Sequence, residues 1–363
     1  MKTVYILGAG FSVSAGAPTQ DKIICEAFRL YNENNTDFDE EKFLKFKGFL
    51  SDQLNIVDTG YKHVQLEDIF TPLDRCLSES SQYRGLTVDD IITVRESIFY
   101  VVGRTIHLIL ENTQKNKSYI DKFANYIVKL SEQRKDKKYR DCDPISVIST
   151  NWDILLDKSL YEKITRSNYQ AVVDYCCYIS SVGEDDDTIK PGLEMLGNGG
   201  FNVKLLKLHG SLNWLQCSRC MRLYAGFNEK LGVGITHTGS CRHCDSNFPE
   251  ESGKHILSSN LIMPTFIKDL SNPQYKIIWQ NAGIEISEAS KLVFIGYSLP
   301  SADFEMRQLL SRMMRKNVEV EVIDFCSNPE QESSIKKHWK SFLGDRKITF
   351  NFSGAEKYME CLD

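Results

Sequence analysis

The chain has 363 residues, of which 42% are hydrophobic and 26% charged, enough to bury the core of one large domain or two moderate ones. A formal net charge of -5 gives no basic footprint for general nucleic-acid or anionic-membrane binding, and no apolar run approaches the ~20 residues that span a bilayer. The eleven cysteines are odd in number and thinly spread, which fits free thiols plus one metal site in a reducing cytoplasm better than a secreted disulfide scaffold.

The first apolar run, Val4-Tyr5-Ile6-Leu7, is β-rich and stops at Gly8-Ala9-Gly10, too soon for the apolar region of a signal peptide. Helix-like sequence follows from about Asp21 to Asn32. A strand that opens onto a glycine turn and then a helix begins a doubly wound α/β fold. From about Asp37 to Arg140 the pattern turns helical. Phe43, Phe46, Phe49 and Leu50, then Ile91, Val94, Ile98 and Val101, then Ile120, Phe123, Ile127 and Leu130 recur at helical spacing, so 37–140 reads as a helical insertion. The basic run 134–140 that closes it reads as a solvated helix end. Strands resume at about 145–150, 203–208, 292–295, 318–325 and 347–352, with helices near 154–161, 274–288, 304–315 and 333–342. This alternation predicts one parallel sheet covered on both faces, a Rossmann-like domain spanning 1–363. The acidic run Glu184-Asp185-Asp186-Asp187 reads as a solvent loop.

In such folds a ligand crevice lies beyond the carboxyl ends of the strands. Four predicted strands end in polar or glycine-rich sequence there: Gly8-Ala9-Gly10, Thr150-Asn151-Trp152-Asp153, His209-Gly210-Ser211 and Gly296-Tyr297-Ser298. Glycines let a backbone approach a pyrophosphate closely, although Val13 stands where the full dinucleotide fingerprint has its third glycine. A tight strand–helix turn with no ligand explains the same residues. Asn151 and Asp153 are equally suited to capping the helix that follows, and Trp152 and Trp214 to core packing. Lys268 and Asp303 read as local structure, with Asp303 in the first turn of a helix.

Cys217-x-x-Cys220 and Cys241-x-x-Cys244 are twenty residues apart. Two such pairs match a zinc ribbon, and four thiolates leave the metal no open position, so a Zn²⁺ held there is structural. The expected zinc module spans 212–260.

Taken in order, these blocks resemble the sirtuin family. Gly8 to Pro18 looks like the sirtuin G-A-G-x-S-x-x-[SA]-G-x-P phosphate loop, and Ser149-Thr150-Asn151-Trp152-Asp153 like the T-Q-N-x-D strand end. Leu208-His209-Gly210-Ser211 resembles the catalytic H-G loop with the zinc cysteines directly after it, and Gly296-Tyr297-Ser298-Leu299 the late G-x-S-L loop. Thr19-Gln20-Asp21 stands in place of the deacylase D-F-R, Thr150 in place of Gln, and 264–269 in place of the F-G-E peptide-binding loop. With these departures the chain is more similar to the bacterial sirtuin-like NAD hydrolases of anti-phage defence.

The resemblance implies NAD as substrate and roles for particular residues. Asn151 would hold the nicotinamide ribose and the attacking water, and His209 would act as general base on the ribose hydroxyls. Asp153 would meet the carboxamide. Gly8, Ala9, Gly10, Ser12, Gly296 and Ser298 would surround the phosphates, with Asp324 at a ribose. It further implies a homo-oligomer and a defence-system partner protein. Two other functions fit the same blocks: an NAD-dependent protein deacylase or ADP-ribosyltransferase, and a non-catalytic NAD or ADP-ribose-binding subunit of a larger assembly.

Overall fold

A computed structural model describes residues 1–57, 60–61, 64–113, 116–135, 143–167, 169–183, 198–227 and 239–362. The acidic run 184–187 and most of the basic run, 136–140, lie outside these residues. The central sheet is built on β1 (Thr3–Leu7), whose Val4 to Leu7 are all buried. To one side come β2 (Ile145–Ser149), then β5 (Phe201–Lys207), then β3 (Ala171–Asp174); to the other lie β9 (Lys291–Ile295), β10 (Glu319–Ile323) and β11 (Ile348–Asn351). All seven strands are parallel, and the central β1 and β9, covered on both faces, read as near-continuous apolar runs.

Register decides where the strands end. Leu7 pairs with both Ser149 and Ile295, and Ile295 with Ile323. The next residues, Gly8, Thr150, Gly296 and Asp324, therefore leave the sheet along one edge. The chain order reverses between β1 and β9, and a doubly wound sheet opens its crevice at such a switch point.

Both faces are covered. Tyr5 meets Phe123 and Tyr126 of α6 (Ser118–Ser131) edge-on at 5.1 and 6.3 Å. Phe294, pointing to the opposite face, meets Trp339 of the helix Pro329–Leu343 at 4.7 Å. Thus α6, although its periodicity continues that of the insertion, belongs to the sheet: Tyr119, Ile120, Phe123 and Ile127 bury in the central core.

The remaining helices of the 37–140 segment are α3 (Glu40–Gly48), α4 (Leu66–Glu79) and α5 (Val88–Asn112), and α2 (Ile23–Glu33), which precedes the segment, packs with them. They form a second core of their own around Phe28, Phe43, Phe46 and Phe70, which also takes in Ile154, Leu212, Leu261 and Met263. Their starts follow ordinary chemistry. Asp39 accepts a hydrogen bond from the Lys42 amide, and Thr87 and Asp90 form a reciprocal capping box.

A second, smaller sheet carries the cysteines. Its order is β4 (Ile179–Ser181), β7 (Leu223–Ala225), β6 (Gly210–Cys217) and β8 (Leu257–Leu261). It recruits β4 from upstream of residue 212, so the cysteine module is stitched into the main chain path on both sides. Strands β3, β4, β6, β7 and β8 are not evident as elements in the sequence, being made by pairing rather than by local pattern.

Candidate active site

A cleft of about 460 Å³ opens at the switch point. Of the residues expected at a site, Gly8, Ala9, Gly10, Asn151, Asp153, His209, Gly296, Ser298 and Asp324 all line it. Five strand ends, those of β1, β2, β5, β9 and β10, deliver them. The segment between the glycine turn and the insertion adds Gln20 and Ile23, the insertion adds Gln65, Glu67 and Ile106, and the loop after β8 adds Pro264 and Lys268.

The glycines are there first for each other. A Cβ on Gly8 would sit 2.5 Å from the Gly296 oxygen, and one on Gly296 would sit 2.3 Å from the Gly10 carbonyl carbon and the Phe11 nitrogen. Gly296 also has φ +59°, a left-handed conformation that favours glycine. The Gly8 amide donates to the Ile295 oxygen and the Gly10 amide to the Gly296 oxygen, at 3.0 and 2.9 Å. These two N–H groups are spent joining β1 to β9. The helix after the turn is a single turn, Gly10–Val13, not the long dipole of a nucleotide-binding helix.

Ser12 points inward. It is fully buried, donates to Asp153 Oδ2 at 2.8 Å and accepts from Asn151 Nδ2 at 3.3 Å. Asn151 also donates to the Gly8 oxygen at 2.9 Å. Both bonds use its amide nitrogen, while Oδ1 is buried with no partner. A buried acceptor left without a partner costs stability unless a ligand donor reaches it.

Asp153 does cap: its Oδ1 accepts from the Leu155 amide at 3.1 Å at the start of the helix Leu155–Arg166. Burial pushes its carboxyl up, and Lys207, Ser12 and the Leu155 amide only partly oppose this. Lys207 is itself buried and donates to the Asp153 carbonyl at 2.6 Å and to Asp157 at 3.1 Å, and Tyr175 donates to Asp157 at 2.9 Å. This buried chain holds the 151–155 turn from below. Burial likewise raises the Asp324 carboxyl, which accepts from the Phe325 amide at 2.8 Å.

His209 leaves β5 one residue before Gly210, whose φ is +73°. A Cβ at Gly210 would lie 2.4 Å from the Tyr275 hydroxyl and 2.8 Å from the Asn260 oxygen, so the turn requires glycine. The His209 carbonyl accepts from the Ile262 amide at 3.0 Å, and its ring lies 6.2 Å from that of Trp279. Asp303 stands beside it, with Oδ1 3.3 Å from Nε2.

Asp303 is a site residue that sequence reasoning assigned elsewhere. It precedes the helix Phe304–Met313 but makes no side-chain cap there; the carboxyl turns into the cleft instead. Its signal, Asp at the end of G-Y-S-L-P-x-A-D, is indistinguishable from a capping residue until the tertiary partner is known. Trp152 was expected in the core, yet it lines the cleft while donating to the Ile262 oxygen at 3.2 Å. Trp214 is core, fully buried against Tyr175.

The four cysteines meet away from the cleft. Their sulfurs all lie within 4.8 Å of one another, with Cys217–Cys244 at 3.8 Å and Cys220–Cys241 at 3.7 Å. A tetrahedron with 2.3 Å metal–sulfur bonds has edges of about 3.8 Å, so this donor set fits zinc. Cys217 ends β6, and the Met221 amide returns to the Cys217 oxygen; Cys241 starts the short helix Arg242–Asn247 that carries Cys244.

No family model matches the chain, and no curated protein matches it. Among solved structures, it is similar to a Sir2 homolog–NAD complex at 13% identity and a TM-score of 0.45, covering 99% of this chain and 87% of that one. A structure described as the basis for the mechanism and regulation of Sir2 enzymes matches at 11% identity and 0.41, covering 99% and 89%. A mutant Sir2 homologue with ADP-ribose matches at 14% and 0.40, covering 100% and 90%. At these identities and scores the likeness is distant, and the functional reading falls to the site's own residues.

Proposed function

We propose that this protein consumes NAD, cleaving the nicotinamide–ribose bond to give ADP-ribose and nicotinamide, as the sirtuin-like NAD hydrolases of bacterial anti-phage defence do. The observation that carries this is the pairing, in one cleft, of Asn151 with an unpartnered buried Oδ1 and His209 with one ring nitrogen buried against a carboxylate. An acceptor and a titratable base at adjacent strand ends are what ribose hydroxyls and a water require.

In the reaction, the bond from C1′ to the nicotinamide nitrogen breaks and its electron pair leaves with neutral nicotinamide. A water oxygen bonds to C1′, and the proton it sheds restores the ribose hydroxyl that the base has deprotonated, so that the base carries off one proton in all. Asn151 Oδ1 orients the ribose and the water. His209 takes a proton from a ribose hydroxyl as positive charge develops on the sugar. Asp153 faces the carboxamide, and Asp324, at the far strand end, suits the other ribose. Zn²⁺ supplies cohesion to the small sheet and takes no part in bond cleavage.

The test is to incubate the pure protein with NAD and measure free nicotinamide, with and without an acyl-lysine peptide. Release without peptide is the expected result. Release only with peptide would establish a deacylase instead, and NAD binding without any release would establish a binding subunit.

A further inference from the structure

Asp303 is among the most deeply buried acids of the chain, 4% exposed. Its Oδ2 accepts a hydrogen bond from the Tyr297 hydroxyl at 2.7 Å. Its Oδ1 faces two cations or potential cations, His209 Nε2 at 3.3 Å and Lys268 Nζ at 3.4 Å. Neither approach is aligned as a hydrogen bond, so Oδ1 and Nε2 are both buried and unsatisfied while lying in ion-pair reach.

Lys268 does not compete for that oxygen. Its ammonium has three protons, and three other acceptors surround it: the Ala302 oxygen at 2.9 Å, Glu305 Oε2 at 2.8 Å and the Thr265 oxygen at 3.4 Å. What Lys268 contributes is charge, from a side chain 2% exposed. Burial works to push the Asp303 carboxyl up, but His209, Lys268 and the Tyr297 hydroxyl together hold it below the usual carboxylate range. Asp303 is therefore an anion with one free acceptor, and the nearest free donor position is Nε2 of His209.

We infer that Asp303 is a positioning residue for His209, accepting the Nε2 proton so that the imidazole presents the lone pair of Nδ1 to the cleft. Nε2 is buried and lies beside Asp303, so Nδ1 is the ring nitrogen left to act on a ligand. The same carboxylate stabilises the ring once it has taken a proton. Without it, both tautomers are populated, and the one with Nδ1 protonated cannot act as a base. Lys268 brings a second element into the device. It ties the loop after β8, where deacylases hold their peptide, to the turn that carries Asp303.

This inference rests on His209 being the base of the proposed reaction, so one arm of its test reads the ring itself. Nitrogen-15 NMR of the neutral imidazole, assigned by its loss in His209→Gln, should show the Nε2–H tautomer in the whole protein. Asp303→Ala should mix the two tautomers. An Nδ1–H tautomer in the wild type, or an unchanged spectrum in Asp303→Ala, would overturn the inference whether or not NAD is cleaved. The other arm reads turnover. Asp303→Asn keeps the shape and the Tyr297 contact; it should cut kcat by about 10²-fold or more with KM little changed. Asp303→Asn combined with His209→Ala should be no slower than His209→Ala alone. Losses that multiply, or a kcat within twofold of wild type in Asp303→Asn, would refute the coupling. A wild type with no turnover would count against the proposed reaction, and the spectra would still decide the role of Asp303.

Discussion

Asn151 and His209 differ in what binds them, and that difference sets what their loss should do. Asn151 donates twice into the protein, so Asn151→Ala removes an anchor of the glycine turn as well as a ligand contact. His209 has no such internal duty beyond Asp303. Each alanine variant should lower nicotinamide release by ~10²–10⁴-fold. Both variants should lower the melting temperature modestly, His209→Ala because it leaves the buried Asp303 carboxylate with one partner fewer. Near-wild-type turnover in both would dismiss the assignment. Gly296 offers a sharper structural test. Gly296→Ala places a side chain at φ +59°, which costs on the order of 1–2 kcal/mol by itself, and drives a Cβ into the Gly10 backbone. Reduced melting temperature together with lost NAD binding is expected; a variant that binds normally would show that the two glycine turns need not touch.

At the scale of elements, the cysteine sheet and the helical insertion make separate contributions. The knuckle sulfurs are already at tetrahedral spacing, so pure protein should contain one zinc per chain. Cys241→Ser should reduce folding yield and melting temperature before it changes the reaction. Metal analysis that finds no zinc, with all four thiols freely reactive, would remove the metal from the account. The insertion helices have their own core, yet Ile154, Leu212, Leu261 and Met263 close it from the main domain. We propose that it shapes the entrance to the cleft and supplies subunit contacts. Deleting 37–113 should expose those four residues, raise binding of a hydrophobic dye and abolish turnover. A stable, active deletion variant of unchanged oligomeric state would refute this.

Across the whole molecule, one buried ion cluster fastens the amino-terminal edge of the sheet. Lys2 reaches Asp143 at 2.5 Å and Glu285 at 2.6 Å, Lys204 reaches the same two acids at 2.8 and 2.6 Å, and Arg134 closes on Asp143. Burial favours a neutral Asp143, but Arg134, Lys204 and Lys2 outweigh it and hold the carboxyl below its usual range. A depressed folded value means the stabilisation is complete above the unfolded carboxylate value, near ~3.9, and is lost as pH falls beneath it. Urea midpoints should therefore begin to decline near about pH 4 and go on declining toward about pH 1. Asp143→Asn should flatten that decline and remove about 3–5 kcal/mol at neutral pH. An unchanged acid profile in this variant would assign acid sensitivity to other groups.

Much of this architecture was legible in local pattern. Apolar runs such as Val4–Leu7 and Leu292–Ile295 announce buried parallel strands because burial on both faces permits nothing else. The paired C-x-x-C spacing announces a tetrahedral donor set because the chemistry of the thiolates is local to each knuckle. The cleft residues Asn151, His209 and Asp324 could be named because they follow strands whose ends must align. What sequence could not show is what each polar atom faces. Ser12 was expected near phosphate and bonds Asp153 instead; Asp303 was expected at a helix start and meets His209. Helix α6 carries the same periodicity as the insertion but packs on the sheet, and β3, β4, β6, β7 and β8 form by pairing with no local pattern to mark them. Periodicity reports that a face is apolar and not which surface covers it, and a carboxylate's partner can lie ninety residues away. Those decisions belong to the packed chain, where register and burial select one partner among many.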